Sequence, residues 1–339
     1  MKPRESELIR RYRKNFDIPR EANISEQMIL AHWELEKQLT LELLQSKPED
    51  RWDTFDRCYT RLYAELGWLN RFVGQVNMTQ PPERYGKWID LIGPPPKSIY
   101  EIGSGTGGFL SYLAQKGFAC RGTEITRERG SRLVEESFMS LSWGLSDGVH
   151  LDRFEPPETY DIVLSNQVLE HLHPEDLEAH LAGVYFLLKG GGRYVFCTPH
   201  RYSGPHDISK IFKLHEPKGM HLREYTYLEL VKALNRIGFS RVYYAFIPRK
   251  IRMLLVSMGV HGIVQANRFG PPYLRFLLSV EKALSVMPTF WLRRLCIKVL
   301  RGFYLFSDSI CLVAEKRTAA DQVAKLSNVP RRATQSRVL

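Results

Sequence analysis

The sequence predicts an α/β fold built on a doubly wound, mostly parallel sheet. Beyond residue 97, short apolar segments alternate with helical windows, a pattern typical of parallel strands joined by helices. A glycine-rich turn follows the first of these segments, at the place where such sheets bind ligands. The 339 residues are 44% hydrophobic and 25% charged, which indicates a globular chain.

The region before the sheet is predicted to be helical. From Trp52 to Leu66, apolar residues recur every three or four positions, and Ser46–Glu49 (SKPE) is predicted to open a helix as a capping box. The run Gly93–Pro96 (GPPP) ends this pattern. We therefore expect residues 1–92 to form a helical cap region beside the sheet.

The strands are predicted from short apolar runs bounded by turn residues. Gly190–Gly192 is predicted to end a helix that begins near Glu175, and Thr226–Glu229 (TYLE) to open the next helix as a second capping box. In chain order the predicted strands are SIYEI, AQKGFACRGTEI, YDIVLSN, RYVFCTP, RVYYAF and SICLVAE.

An insertion with a helical pattern separates the last two predicted strands, and its polar positions are almost all basic. We expect it to be a lid packed over the sheet; the alternative is an amphipathic element resting on an anionic membrane. The predicted regions are the cap (1–92), the core (93–248), the insertion (249–306), the last strand (307–317) and a disordered basic tail (318–339).

Charge and cysteine usage narrow the classes of function. The net charge of +11 is carried by residues 1–20, 249–301 and 316–339, so the rest of the chain is mildly acidic, which disfavours nucleic acid as a partner. The five cysteines form no C-x-x-C pair, which argues against a zinc cage and a disulfide framework. With no signal peptide or spanning segment expected, a cytoplasmic location is predicted, with the inner face of a membrane as the alternative.

The stretch EIGSGTGGF, residues 101–109, forms the glycine-rich turn. Its glycines fit two patterns: the dinucleotide spacing G-x-G-x-x-G, and the spacing E-x-G-x-G-x-G of S-adenosylmethionine enzymes. Glu101 favours the second, because a carboxylate there repels a pyrophosphate and attracts an ammonium group. Glu124, nineteen residues after Gly105, is placed to accept both ribose hydroxyls, which either ligand would offer.

From about residue 95 to 248 the chain resembles the class I S-adenosylmethionine-dependent methyltransferases, because several motifs occur in order. The glycine turn resembles the first motif of that family. Asp161–Leu172 (DIVLSNQVLEHL) resembles the D-x-V-x-x-x-x-V-L-E-H-L motif of its small-molecule branch, and Leu188–Gly192 (LKGGG) is similar to its L-K-P-G-G turn. The resemblance implies a seven-stranded Rossmann-like methyltransferase sheet, with an N-terminal helical region and a helical insertion before the last strand.

The resemblance also implies S-adenosylmethionine as the cofactor. Asp147 and Gly148 fall where the family contacts the adenine amino group, and Asn166 and Gln167 fall beside the expected sulfonium. Glu170 and His171 are expected to brace the following helix. The implied cofactor-binding residues are Glu101, Gly103, Ser104, Gly105, Gly107, Glu124, Ile125, Asp147, Gly148, Asn166 and Gln167.

Seven of the ten histidines lie between residues 171 and 221. Histidine is the usual general base near neutral pH, so we predict catalytic roles for His206 and His221. Asp207 is the predicted partner that orients His206, or the two histidines pair with each other; the alternative is that these groups cap turns. Four aromatic residues are predicted to line an acceptor pocket or else the core: Trp33, Trp52, Tyr202 and Tyr225.

We therefore predict a methyltransferase that O-methylates a small molecule or a glycan or lipid-linked precursor by in-line transfer with a histidine base. The alternatives are an RNA methyltransferase and a non-catalytic member of the fold that binds lipid or a partner. No metal site is predicted, because His215 and Glu216 begin an H-E-x-x-H pattern that His221 completes at the wrong spacing.

Overall fold

A single seven-stranded sheet organises the molecule. The computed structural model describes residues 5–72, 86–130, 140–246, 248–259, 266–303 and 305–318. The strand order is β3-β2-β1-β4-β5-β7-β6, and neighbours are parallel except that β7 runs antiparallel to both β5 and β6. The predicted fold class is confirmed. The strands are β1 (Ser98–Ile102), β2 (Ala119–Glu124), β3 (Leu141–Leu145), β4 (Tyr160–Asn166), β5 (Leu188–Pro199), β6 (Arg241–Tyr244) and β7 (Ser309–Glu315).

Helices cover both faces of the sheet and its carboxyl edge. One apolar cluster joins Tyr194 and Leu230 to Leu277, and another joins Ile99 and Leu110 on the opposite face. The helices discussed below are α1 (Glu7–Phe16), α2 (Glu26–Gln45), α3 (Arg51–Glu65), α4 (Gly67–Asn70), α5 (Gly86–Ile92), α6 (Gly108–Gln115), α7 (Leu177–Leu187), α8 (Tyr227–Ile237), α9 (Arg249–Ser257), α10 (Ala266–Ser285) and α11 (Phe290–Gly302).

The N-terminal helices pack onto the loop between β5 and α8, as their shared apolar cluster shows. The Thr40 hydroxyl donates to the Gly219 carbonyl, and Glu36 accepts the Met220 N–H at 3.2 Å. The rings of Trp33 and Phe212 stack with centroids 4.8 Å apart. These contacts hold α2 above the carboxyl edge of the sheet.

The insertion is fixed to the core by its α10 helix. Glu281 is buried, and it accepts hydrogen bonds from the His200 ring at 2.8 Å and from the backbone N–H groups of Tyr227 and Leu228 at 2.8 and 2.7 Å. A buried carboxylate needs such partners, because an unpaired one is costly. The hydrogen bonds therefore fix the position of α10 on the sheet.

Two local predictions are wrong and one is confirmed. Ser46 ends α2 instead of opening α3, which begins at Arg51 after Asp50. Gly190–Gly192 lies inside β5, because the preceding helix already ends at Leu187 and the strand begins at once. The capping box at Thr226 is present, with Glu229 completing it.

One pair of cysteines departs from expectation. Antiparallel pairing of β5 with β7 sets Cys197 directly opposite Cys311, and the structure joins them as a disulfide. Spacing along the sequence could not show this, because the two residues lie 114 positions apart. Within the described part of the chain, no helix combines the length and the apolar character needed to cross a bilayer. The predicted tail lies almost wholly outside the described residues.

Candidate functional site

The glycine-rich turn joins β1 to α6 at the carboxyl edge of the sheet. Gly103, Gly105 and Gly107 have φ angles of +67°, +59° and +71°, a conformation that residues with side chains rarely adopt. A Cβ atom at Gly103 would lie 2.6 Å from a methyl carbon of Val168. The turn therefore requires glycine for its backbone shape and, at Gly103, for space.

Glu124 ties this turn to the neighbouring strand. It ends β2, and one of its carboxylate oxygens accepts the Gly105 N–H, while the Ser104 N–H donates to the Thr123 carbonyl at 3.0 Å. Burial raises the pKa of Glu124, and the Arg129 charge and backbone hydrogen bonds from Gly105 and Ile125 partly offset that effect. The carboxylate thus has a fixed position beside the turn.

Glu101 lies beneath the turn. Burial, followed by the charge of Glu124, raises its pKa to about 8, and its Oε2 atom has no hydrogen-bond partner among the described residues. A buried carboxyl oxygen without a partner is expensive unless a ligand or an ordered water supplies one. The missing partner of Glu101 Oε2 is compatible with a ligand or an ordered water at this position, and the role of Glu101 toward an ammonium group stays a prediction.

The other predicted cofactor residues lie where β3 and β4 end. Asp147 accepts the backbone N–H groups of Val149 and His150 at 2.8 and 2.9 Å, which fixes the turn after β3. Gln167 has a φ of +59°, and its N–H donates to the Cys197 carbonyl at 2.8 Å. Parallel strands thus bring residues from distant motifs to one edge.

These strand ends open into a cavity of about 430 Å³, which we call the edge pocket. Glu101, Ser104, Gly105 and Gly107 shape the turn but do not form the wall. The predicted residues that do line the edge pocket are Gly103, Glu124, Ile125, Asp147, Gly148, Asn166 and Gln167.

The far wall of the edge pocket was not predicted from the sequence. Tyr59 and Tyr63 reach it from α3, and Glu36 reaches it from α2. The spacing of the two tyrosines, four apart on a helix, could have indicated one shared face. Three acids, Glu36, Glu124 and Asp147, line this pocket beside one base, Arg129, so it favours a cationic ligand.

The two predicted catalytic histidines share one carboxylate. Glu224 Oε1 lies 3.0 Å from Nδ1 of His221, and Oε2 lies 3.2 Å from Nδ1 of His206. Burial opposes ionisation of Glu224, yet hydrogen bonds from His206 and His221 lower its pKa to about 2. Glu224 was absent from the sequence prediction, and only its position three residues after His221 hinted at this contact.

The predicted role of Asp207 is wrong. Its two carboxylate oxygens accept the backbone N–H groups of Ser209 at 3.0 Å and Gly219 at 2.7 Å. Adjacent side chains diverge along the backbone, so Asp207 holds the loop while Glu224 orients His206.

His171 and His221 lie at the wall between two cavities. Their rings are perpendicular, with centroids 5.0 Å apart. His171 lines the edge pocket, and His221 lines a second cavity. Burial and the neighbouring His221 lower the pKa of His171 to about 3. Burial also acts against the charged form of His221, but Glu224, Glu170 and Asp207 together raise its pKa above 6.5.

The second cavity, the basic chamber, has a volume of about 1010 Å³. Its walls come from α2, from the segment 201–224 and from α10 and α11 of the insertion. Of the aromatic residues predicted to line an acceptor pocket, Trp33 and Tyr202 line this chamber, Tyr225 is buried core and Trp52 lines a third cavity. Its charged residues are Lys37, Arg201, Lys218, Arg223, Arg293, Arg294, Glu216 and Glu224.

Glu170, His171 and His221 offer ligand atoms within 4.8 Å of one another, the one such trio with metal-binding chemistry found among the described residues. Two of the three already have a hydrogen-bond partner within the protein. The Thr198 hydroxyl donates to Glu170 at 2.9 Å, and His171 Nδ1 lies 2.9 Å from the Met220 carbonyl. Burial raises the pKa of Glu170 to about 7. These contacts occupy part of the hydrogen-bonding capacity of the Glu170 and His171 side chains.

Over part of its length the chain is similar to known methyltransferases. A family model described as a methyltransferase domain matches residues 77–244. Among curated proteins, an uncharacterised methyltransferase of Bacillus cytotoxicus is 28% identical over 107 residues, which are 32% of this chain and 49% of that protein. A probable chloroplastic tocopherol O-methyltransferase of Oryza sativa subsp. japonica is 30% identical over 102 residues, 29% of this chain and 28% of that one. The chain thus spans half or less of these relatives.

The solved structures to which the chain is similar are remote in sequence. The Burkholderia thailandensis 1,6-didemethyltoxoflavin-N1-methyltransferase is 12% identical, with a TM-score of 0.47, over 80% of this chain and 91% of that chain. A methyltransferase from Mesorhizobium loti is 15% identical, with a TM-score of 0.43, over 71% of this chain and 100% of that chain. On the family match, the strand order and the glycine turn, residues 77–244 are identified as a class I S-adenosylmethionine-dependent methyltransferase domain.

Proposed function

We propose that the protein transfers a methyl group from S-adenosylmethionine in the edge pocket to a hydroxyl group of an acceptor in the basic chamber. The observation that carries the proposal is the position of His221, between an acid-lined pocket and a basic one. The name of the Oryza relative, an O-methyltransferase, supports an oxygen acceptor.

The cofactor, when bound, supplies a methyl group on a positively charged sulfur. The residues of the edge pocket suit such a ligand in three ways. Its glycine turn admits close approach, Glu124 is held beside it, and the Glu101 Oε2 atom beneath the turn has no hydrogen-bond partner in the described part of the chain. Because the leaving group is already activated, the protein contributes mainly position and a proton acceptor.

His221 is the proposed proton acceptor. Glu224 engages its Nδ1 atom at 3.0 Å, which fixes the ring and leaves Nε2 to take a proton from the acceptor. The raised pKa makes His221 a stronger base than free histidine. His206 contacts the other oxygen of Glu224 and does not line either cavity, so we assign it a positioning role.

The basic chamber sets the acceptor class. Six Lys and Arg side chains line it against two acids, beside the rings of Trp33, Tyr202 and Phe290. A cavity of this charge favours a hydroxylated acceptor that carries a phosphate or carboxylate. A small glycan or lipid-linked precursor has these properties.

Binding and turnover are tested separately. Calorimetry should show S-adenosylmethionine binding in preference to NAD, and binding of NAD alone would reject the cofactor assignment. Turnover is then followed as S-adenosylhomocysteine release with a panel of phosphorylated and carboxylated phenols and sugars. His221→Ala should reduce kcat by about 10² to 10³-fold at unchanged cofactor affinity. His206→Ala should reduce kcat less, and equal losses in both variants would exclude His221 as the specific base.

A further inference from the structure

Exposed apolar side chains are concentrated on the insertion. Among the described residues, nine large apolar side chains expose more than half of their surface, and eight of them lie between residues 253 and 303. Soluble domains rarely gather such residues on one element without a partner. These eight are Met253, Leu254, Met258, Val286, Trp291, Leu295, Val299 and Phe303.

Helix α11 arranges several of them in one stripe. Trp291, Leu295 and Val299 follow each other at intervals of four, which places them in one row on the helix surface. They are 69%, 60% and 52% exposed. Ile297, on the opposite side of α11, is buried against Leu284 and Phe306, so the helix is attached to the protein by one side and presents its apolar row to solvent.

The exposed charge around this stripe is positive. Residues 249–301 contain ten Lys and Arg against one acid, and that acid is Glu281. Glu281 is buried, where it holds α10 to the core. No carboxylate of the insertion itself therefore reaches its surface. Lys282 and Lys298 lie exposed on α10 and α11.

We propose that this face of the insertion docks on an anionic lipid bilayer, with α11 lying in the plane of the headgroups. An exposed apolar row with a tryptophan, flanked by basic residues, is the pattern of interfacial helices. Charge complementarity favours this occupant over a second copy of the chain, because the same positive face on two copies would repel.

The docked face is continuous with the basic chamber. Phe290, Arg293 and Arg294, from the first turn of α11, line the chamber wall. Docking through the outer row of the same helix would bring the chamber close to the headgroups. The proposal does not depend on methyl transfer, since it concerns only the surface of α11 and its neighbours.

Vesicle flotation of the full chain tests the proposal. Binding is expected to vesicles of phosphatidylcholine with about one third phosphatidylglycerol, and should weaken with added salt. Little binding is expected to phosphatidylcholine alone. The double variant Trp291→Ser, Phe303→Ser should lose at least about tenfold in affinity, and Lys298→Glu should lose less. Leu30→Ser, an exposed apolar residue of α2, is the matched control and should bind like wild type.

Two results would overturn the proposal. One is equal flotation of the double variant and wild type, when circular dichroism and S-adenosylhomocysteine binding show both to be folded. The other is a wild-type dimer in light scattering that the double variant abolishes while neither protein floats, which would assign the stripe to a second copy. Because cofactor binding is measured independently, failure here leaves the proposed function untouched.

Discussion

The edge pocket and the basic chamber are neighbours of opposite character. The edge pocket is lined by three acids and one base and draws on the ends of β1, β2, β3 and β4. The basic chamber is lined by six Lys and Arg side chains and draws on segments as far apart as Trp33 and Arg294. The sheet side of the edge pocket is formed by backbone turns, whereas the basic chamber is formed by side chains from segments far apart in the sequence. His171 and His221 lie at the wall between the two cavities.

Because of this difference, the two cavities should differ in how well they tolerate substitutions. A turn at positive φ tolerates almost no substitution, whereas a wall of long basic side chains tolerates many. Changes in the edge pocket should therefore abolish cofactor binding, and changes in the chamber should alter acceptor choice or rate. The following experiments test this contrast.

Gly103→Ala should have the largest effect. Its φ is +67°, and the added Cβ would meet Val168 at 2.6 Å, so the turn must shift. We expect cofactor affinity to fall by more than about 100-fold, measured by calorimetry. Gly67→Ala is the control, because its Cβ meets nothing within 4 Å. Retained affinity in Gly103→Ala would show that the turn does not hold the cofactor.

Glu101→Gln should have a smaller effect with a pH signature. The pKa of about 8 means that this carboxyl is largely protonated at neutral pH, and a bound cation would favour its ionisation. Cofactor affinity of the wild type should therefore rise with pH towards about 8 and be accompanied by proton release. The variant should lose about tenfold in affinity and lose this pH dependence.

The raised pKa of Glu101 also predicts that the stability of the cofactor-free protein falls as pH rises, whereas cofactor affinity rises. Because the folded-state value lies above the ordinary value of 4.5, the carboxyl destabilises the cofactor-free protein as pH rises between the two. Glu101→Gln should therefore raise the unfolding midpoint at alkaline pH. Tyr100→Phe, on the other face of β1, is the matched control for both measurements. If the cofactor affinity of the wild type did not change with pH, Glu101 would have no part in cofactor binding.

Glu224→Gln should shift the pH profile of turnover. A general base must be neutral, so kcat should fall as pH drops through the pKa of His221, which lies above 6.5. Removing the Glu224 charge should move this acidic limb down by about one pH unit and reduce kcat by about tenfold. Glu216→Gln removes another acid of the same chamber and should leave the midpoint in place. Equal midpoints in all three proteins would contradict the base assignment.

Chelation should have the smallest effect. Glu170, His171 and His221 lie close enough to share an ion, but Thr198, Met220 and Glu224 already satisfy them in part. Dialysis against EDTA should leave both kcat and cofactor affinity unchanged. Loss of turnover that zinc or magnesium restores would instead make this trio a metal site.

Much of the fold could be predicted because local patterns determine it. The alternation of strands and helices and the capping box at Thr226 are local signals, and both are confirmed. The prediction that Ser46 opens a helix was wrong because a serine side chain serves equally well at the end of a helix. The prediction that Gly190–Gly192 ends a helix was wrong because glycine also occurs in irregular strands. In both places the local sequence is compatible with either structure.

Some residues of the candidate site could likewise be predicted from local sequence, and others could not. Gly103, Glu124 and Asn166 follow directly from the strand ends on which they lie, and all three line the edge pocket. Glu224 and Tyr59 could not be placed, because their contacts depend on how a loop and a helix pack across the edge. Asp207 was assigned to the wrong partner for the same reason: its neighbours in space, not in sequence, decide what it binds.

The position of β7 couples completion of the sheet to the insertion. This strand lies between β5 and β6, yet the ribosome makes it only after the residues of α9, α10 and α11 have been synthesised. Until then β5 and β6 have open edges, where other chains could pair. The sheet therefore closes only after the insertion has been synthesised, so no chain can complete the sheet without carrying the insertion.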